Sequence, residues 1–505
     1  MDAAPRLRTA PDTGQVESPF WFFWRLATQS LATLLVAAVV GAALAALAWR
    51  FGSLGPGLLF GAAVLPLLAL AVVSDPRTGL VVVFLTFGVS SAVATSLGSL
   101  PFQLVELAVI TMVTLIALRR LSDREAPLGW HPGLWWGIAI VTWAVLALPS
   151  GANLKLGVNQ VASLGAGVVF AAAVIGTLRS ERDVRVVLGW FVGIAAGIAL
   201  LGLTNASDLQ SSFGGAVVSG RLQGAFDQPN QLGSFSAMGI PIALGFALGG
   251  RSTISRVFGW LAAGALFGAL LLSLSRGAWI GMTLATLYLL FVLPAARRRL
   301  ALTLIPVIFL AAGLGAFLPR SPQIAVVGQR LGAITATNPY DERTEIWKVA
   351  REQVRADPWT GQGPGSFPVT SARAASGTVT VSADHAHNIW LTWAAEMGVP
   401  AVLFLTGLML ALAFTARRSN RSAKDSGDEQ GLAFGTCLTA ALITLVGQGL
   451  VDYTWRNQVL FVAIATLIGA SFALARARNR SGVSVPFEGQ RINKDISTAD
   501  GLLHS

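Results

Sequence analysis

An all-α, polytopic membrane protein of about 12–14 transmembrane helices is the fold class this sequence predicts, from its apolar composition, its long apolar runs and its alternating basic loops. Hydrophobic residues make up 54% of the chain and charged residues 12%, with a mean hydropathy of +0.64, far from the composition of a soluble domain. Runs of roughly the 17–25 residues that cross a bilayer as a helix recur along the chain. They are continuous, whereas the strands of a membrane barrel would alternate apolar and polar residues.

In chain order the runs fall near residues 26–49, 54–74, 78–97, 101–118, 132–149, 156–178 and 184–203, then 231–249, 256–274, 277–293 and 300–318, and finally 388–414, 431–452 and 457–474. Every second connection is basic. Arg6, Arg8 and Arg25 precede the first run; Arg119-Arg120, Arg179 with Arg182 and Arg185, Arg251 with Arg256, and Arg297-Arg298-Arg299 follow later ones, as do Arg417-Arg418 and the group Arg476, Arg478 and Arg480. Basic short loops stay cytoplasmic. The chain is therefore predicted to comprise a cytoplasmic N-terminal segment (1–25), transmembrane helices (26–318 and 387–474), one large extracytoplasmic loop (319–386) and a disordered cytoplasmic tail (475–505). Both termini are expected in the cytoplasm. The net charge of +11 is then a topology signal, and nucleic acid is not expected as a partner. The apolar run after the polar first 20 residues is too long for a cleavable signal peptide and is expected to remain as an anchor. The single cysteine, Cys437, allows neither an intrachain disulfide nor a thiolate metal site.

Within the large loop, Ile346, Val349, Ala350 and Val354 recur at helical spacing between charges, predicting an amphipathic helix over 341–354 that lies across the membrane domain. Asp357-Pro358 stops it. The turn that follows, Gly361-Gln362-Gly363-Pro364-Gly365-Ser366-Phe367, either folds the loop back on the helices or offers backbone N–H groups to a phosphate. It lacks the Lys-Ser/Thr ending of a P-loop.

Two of the four histidines stand in Asp384-His385-Ala386-His387-Asn388, where this polar loop meets the 388–414 run. Histidine titrates near neutral pH and can move a proton; capping of the next helix is the competing reading. Arg221 lies just before a run, and Arg276 lies in the short turn Ser273-Leu274-Ser275-Arg276-Gly277, which places both guanidinium groups at a membrane boundary. Arginine grips phosphate oxygens through parallel hydrogen bonds, and it also snorkels to lipid headgroups. Glu396, nine residues after His387 and inside a run, either lines a polar cavity or sits neutral and hydrogen-bonded. Asp384 is placed to steer either histidine, and Asp452 ends a run with Arg456 as its expected ion partner. A structural pairing role is expected for both carboxylates.

These residues occur in a set order. Arg221 precedes Gly224-Ala225-Phe226-Asp227-Gln228-Pro229-Asn230; Ser275-Arg276-Gly277 stands between two runs; Arg343 and Trp347 precede the glycine turn; His387-Asn388 precede Gly398. Over about residues 215–410 the pattern resembles the O-antigen ligase and O-antigen polymerase family of bacterial membrane glycosyltransferases. The resemblance implies a GT-C-like architecture in the bacterial inner membrane, with an extracytoplasmic or periplasmic active site. It implies transfer of a glycan from an undecaprenyl-diphosphate carrier to an acceptor hydroxyl on a glycan, lipid or protein, with no metal and no cofactor. His387, Arg221 and Arg276 are the implied catalytic residues, with His385 the runner-up base. Arg343, Asn230, Asn388, Glu396 and His385 are the implied substrate-binding residues. Ala401 departs from the family pattern, so ligase, glycan polymerase and protein O-oligosaccharyltransferase stay open. The residues suit this chemistry in their own right, because a diphosphate leaving sugar C1 develops negative charge that positioned arginines stabilise. A small-solute transporter is the alternative from another class; transporters commonly place their site near the bilayer midplane between repeats.

Overall fold

The computed structural model describes residues 68–72, 74–88, 104–122, 128–204, 221–293, 343–375 and 383–481, together with two short strands. The segment 1–25, the runs expected at 26–49 and 300–318, the loop stretch 319–342 and the tail beyond 481 lie outside the described residues. The described helices are α1 (Pro76–Leu85), α2 (Leu104–Ser122), α3 (Leu134–Leu146), α4 (Leu154–Thr177), α5 (Glu181–Thr204), α6 (Pro229–Gly249), α7 (Thr253–Ser273), α8 (Arg276–Val292), α9 (Arg343–Ala356), α10 (Phe367–Ala375), α11 (Ile389–Asp425), α12 (Glu429–Gly449) and α13 (Gln458–Ser481). Seven of them, α4–α7 and α11–α13, are long and apolar enough to cross a membrane. The chain is a largely helical membrane protein.

One element departs from the all-α expectation. β1 (Gln210–Phe213) and β2 (Ala216–Ser219) pair antiparallel, with Phe213 opposite Ala216. Gly214-Gly215 stands between them in the sequence, a dipeptide suited to tight hairpin turns.

α6 is the centre of the bundle. Pro229 starts it with a pre-set φ, and the whole of its most apolar stretch is buried. It packs on α7 and α12, while α12 also packs on α8, and α11 joins α12, α13 and α3. With no water-driven force between helices in lipid, small residues at the contacts allow close backbone approach. Gly281 of α8 abuts the Thr444 carbonyl of α12, and Gly259 of α7 abuts the Ala247 amide of α6.

Two helices outrun their predicted ends: α11 continues past 414 to Asp425, and α13 past 474 to Ser481. An ionic cluster at that end of the bundle holds them. Glu181 accepts from Arg478 Nε at 3.0 Å and lies 2.8 Å from Arg185 Nη2. Arg478 also donates to the Gly431 carbonyl at 2.6 Å and to Asn420 Oδ1 at 3.4 Å. Arg185 donates to the Gly249 carbonyl and lies over the Phe434 ring. Glu181→Ala removes the shared carboxylate from two largely buried cations and is expected to cost about 3 kcal/mol. Thermal unfolding in detergent checks this, with exposed Arg421→Ala expected to change the midpoint little.

Candidate active site

Three elements that begin or end at the other end of the bundle carry the sequence-predicted site. The segment before α6 is tied to the end of α7, where Leu222 N donates to the Leu272 carbonyl at 2.8 Å and Arg221 Nε to the Ser273 carbonyl at 3.0 Å. α7 stops at Leu274, a buried residue in the left-handed region (φ 52°). Ser275 then caps α8, taking the Ala278 amide on its hydroxyl, and Arg276 is the first residue of that helix. Gly277 follows it, packed against Val451 and Asp452 of the segment after α12.

The histidine segment is locked on both sides. Trp347 of α9 donates its indole N–H to the Ala386 carbonyl at 2.7 Å, and Ala386 N donates to Thr392 Oγ1 at 3.1 Å. Asn388 caps α11 by accepting from Leu391 N at 2.9 Å, and its amide nitrogen donates to the Leu450 carbonyl at 2.8 Å. Between these anchors His387 takes a left-handed backbone (φ 48°), a conformation that costs a residue with a Cβ about 1 kcal/mol or more and persists only when its surroundings enforce it. It brings His387 Nδ1 to 3.2 Å from Asp452 Oδ1.

Asp452 is the hub. It is 4% exposed, and it gathers His387, His385 (Nε2 at 3.7 Å) and the Asn230 amide (2.9 Å to Oδ2). Asn230 in turn accepts from Arg221 Nη2 at 2.6 Å. Burial alone would push the Asp452 carboxyl up, but the two imidazoles beside it, His387 within hydrogen-bond distance, hold it below the usual carboxylate range. Burial pushes His385 down despite Asp452, with His387 and Arg456 adding repulsion. The two imidazole rings lie 4.4 Å apart between centroids. Next to them, the buried Tyr453 hydroxyl is pushed up to about 12 by desolvation, so it stays a neutral group, accepting from Trp393 Nε1 at 3.2 Å.

The expected pairing of Asp452 with Arg456 is not what forms. Arg456 Nη1 donates to the Asp384 carbonyl at 2.6 Å instead, because the 3-10 turn Thr454–Arg456 carries it away toward the histidine segment while Asp452 faces α6. Asp452 thus pairs with His387 and Asn230 rather than with Arg456, and its position at the end of a run on the same predicted face as His387 is the sequence signal for that meeting.

The glycine turn resolves between its two readings. Gly361, Gly363 and Gly365 all have positive φ, and a Cβ on Gly361 would meet the Ala395 carbonyl at 2.6 Å. Gln362 N donates to that same carbonyl at 2.8 Å, Ser366 N to Gly363 O at 3.2 Å, and Phe367 N to Glu396 Oε1 at 3.2 Å. These amides are occupied by the protein, so the turn folds the loop onto α11. Glu396, 4% exposed, is the post on which that turn hangs, which is the hydrogen-bonded alternative of the sequence reading. Arg343 opens α9, which packs on α11.

Residues 261–406 match the O-antigen ligase family model. Over this stretch the chain is similar to the O-antigen ligase family. No curated protein matched the chain. The O-antigen ligase match includes Arg276, Arg343, His385, His387, Asn388 and Glu396, whereas Arg221, Asn230 and Asp452 lie outside it and reach the same site only through folding.

Among the described residues, His385, His387 and Asp452 are the group able to hold a metal ion, with ligand atoms within 4.8 Å of one another. The donor set fits one poorly. Among these residues His385 Nδ1 is buried without a hydrogen-bond partner, whereas a metal-bound imidazole ordinarily anchors its second nitrogen.

Proposed function

We propose that this protein is a metal-independent, GT-C-like glycosyltransferase that moves a glycan from an undecaprenyl-diphosphate carrier to an acceptor hydroxyl on the extracytoplasmic face of the bacterial inner membrane. The observation that carries the reading is the His387–Asp452 pair at 3.2 Å. A carboxylate only accepts, so a neutral His387 holds its proton on Nδ1 toward Asp452 and keeps the Nε2 lone pair free. That nitrogen is the general base: it takes the proton of the acceptor hydroxyl as the oxygen attacks sugar C1. Asp452 stabilises the imidazolium that forms. The bond from C1 to the carrier phosphate breaks, its electron pair leaves on the diphosphate, and Arg221 and Arg276 stabilise that charge. Arg343 and Asn388 complete the proposed site as substrate-binding residues.

Transfer from an undecaprenyl-diphosphate oligosaccharide in the presence of chelator tests the reading, and the molecule that accepts the glycan selects ligase, polymerase or protein glycosylation. Arg221→Ala and Arg276→Ala are each expected to lose about 10²–10³-fold in kcat, the scale of one removed charge-stabilising donor. Lysine replacements are expected to recover only part of it, since they keep the charge but lose the planar fork. A donor left intact with every acceptor, or transfer that chelator abolishes, would overturn the proposal.

A further inference from the structure

The chain of hydrogen bonds from Arg221 to His387 passes through a single neutral side chain. Arg221 Nη2 donates to Asn230 Oδ1 at 2.6 Å, Asn230 Nδ2 donates to Asp452 Oδ2 at 2.9 Å, and Asp452 Oδ1 faces His387 Nδ1 at 3.2 Å. A guanidinium only donates and a carboxylate only accepts, so the orientation of the amide is set from both sides. The backbone beneath it is fixed as well. Asn230 is the second residue of α6, and its carbonyl accepts from the Ser234 hydroxyl at 2.7 Å.

Remove the amide, and nothing separates a guanidinium from a buried carboxylate. Arginine and carboxylate then form a charge-assisted, often bidentate pair. That pair would cancel the two charges the reaction needs: the one on Arg221 for the departing diphosphate, and the one on Asp452 for the imidazolium of His387. A carboxylate in place of the amide would capture Arg221 in the same way and repel Asp452.

We infer that Asn230 is a positioning residue, a neutral spacer that binds Arg221 and Asp452 at once and keeps them from pairing with each other. The role rests on the transferase reading above and replaces the direct substrate contact expected for Asn230. It also accounts for an amide here: its oxygen accepts from the cation while its separate nitrogen donates to the anion, whereas a hydroxyl would have to serve both from one oxygen.

The test is a double-mutant cycle on the full-length protein in detergent or nanodiscs, reading inorganic pyrophosphate affinity by calorimetry beside glycan transfer. Asn230→Ala is expected to weaken pyrophosphate binding about tenfold, because Arg221 is drawn onto Asp452. In an Asp452→Asn background the same substitution is expected to change that affinity by no more than about twofold, since no carboxylate remains to capture the guanidinium. Asn230→Asp preserves shape should the alanine variant fold poorly. Its weakening is expected to persist in the Asp452→Asn background, because the introduced carboxylate itself holds Arg221. Asn230→Ala losses that are equal in both backgrounds, or an Asn230→Ala protein that binds pyrophosphate like wild type, would overturn the spacer role alone. Wild type that neither binds pyrophosphate nor transfers glycan would overturn the transferase reading and the spacer role together.

Discussion

His387→Ala is expected to lower kcat for glycan transfer by about 10²–10⁴-fold, the range for loss of a general base. Donor affinity should change little, because the diphosphate is assigned to Arg221 and Arg276. The fold should survive: the His387 side chain is 24% exposed, and its segment is held by the bonds from Trp347, Asn388 and Thr392 rather than by the imidazole. Asp452→Asn should follow the same direction, since an asparagine no longer stabilises the imidazolium and can also present its own N–H to Nδ1, favouring the wrong tautomer. His385→Ala should cost much less, because His385 Nε2 lies 3.7 Å from Asp452, beyond a hydrogen bond. Steady-state transfer on folded, monodisperse variants is the measurement. A His387→Ala enzyme retaining more than about a tenth of wild-type kcat, well short of a lost general base, would remove the histidine from the base role.

Gly398→Ala is expected to be the most damaging single substitution in α11. Its backbone (φ 76°, ψ 177°) lies in a region that essentially only glycine occupies, and a Cβ there would overlap the Trp359 carbonyl group and meet Pro358 O at 2.8 Å. The kink also gives the loop its purchase on the helix, with Val399 N donating to the Pro358 carbonyl at 2.8 Å and the Ala395 carbonyl taking Gln362 N. Neither neighbour can give way without breaking those bonds, so the expected cost exceeds about 4 kcal/mol, seen as loss of folded protein in detergent and a collapsed thermal midpoint. Gly427→Ala is the control. Its φ is also positive (71°), but nothing lies within 4 Å of the added carbon, so it should cost about 1 kcal/mol from backbone strain alone. Equal effects at the two glycines would show that crowding against Trp359 plays no part.

Much of this protein could be read from local chemistry. The need to satisfy backbone groups in lipid makes each long apolar run a helix, and the runs at 156–178, 184–203, 231–249 and 256–274 correspond closely to α4, α5, α6 and α7. The rare polar residues inside or beside such runs stand out because they are costly there, which singles out His387, Arg221, Arg276 and Glu396; Asn230 enters only through the family resemblance. What Asp452 and Asn230 do was not legible. Asn230 and Asp452 are 222 residues apart, and His387 is 65 from Asp452, so no spacing rule reaches across these separations.

The ends of α11 and α13 escaped the sequence reading for a related reason. Hydropathy marks where apolar character stops, whereas Arg478 continues its helix because Glu181, Asn420 and the Gly431 carbonyl from three other parts of the chain receive it. The glycine turn shows the same limit: three glycines are compatible with a phosphate cradle or a tight crossing, and only the arrival of Ala395 and Glu396 beneath the Gln362 and Phe367 amides selects the crossing. The sequence by itself thus determined a helical membrane protein, the position of most of its described apolar helices, and the rare polar groups that lie beside them. The tertiary structure alone decided which of those groups meet, because hydrogen bonding and charge pairing act over about 3–4 Å and helix packing sets who comes that close.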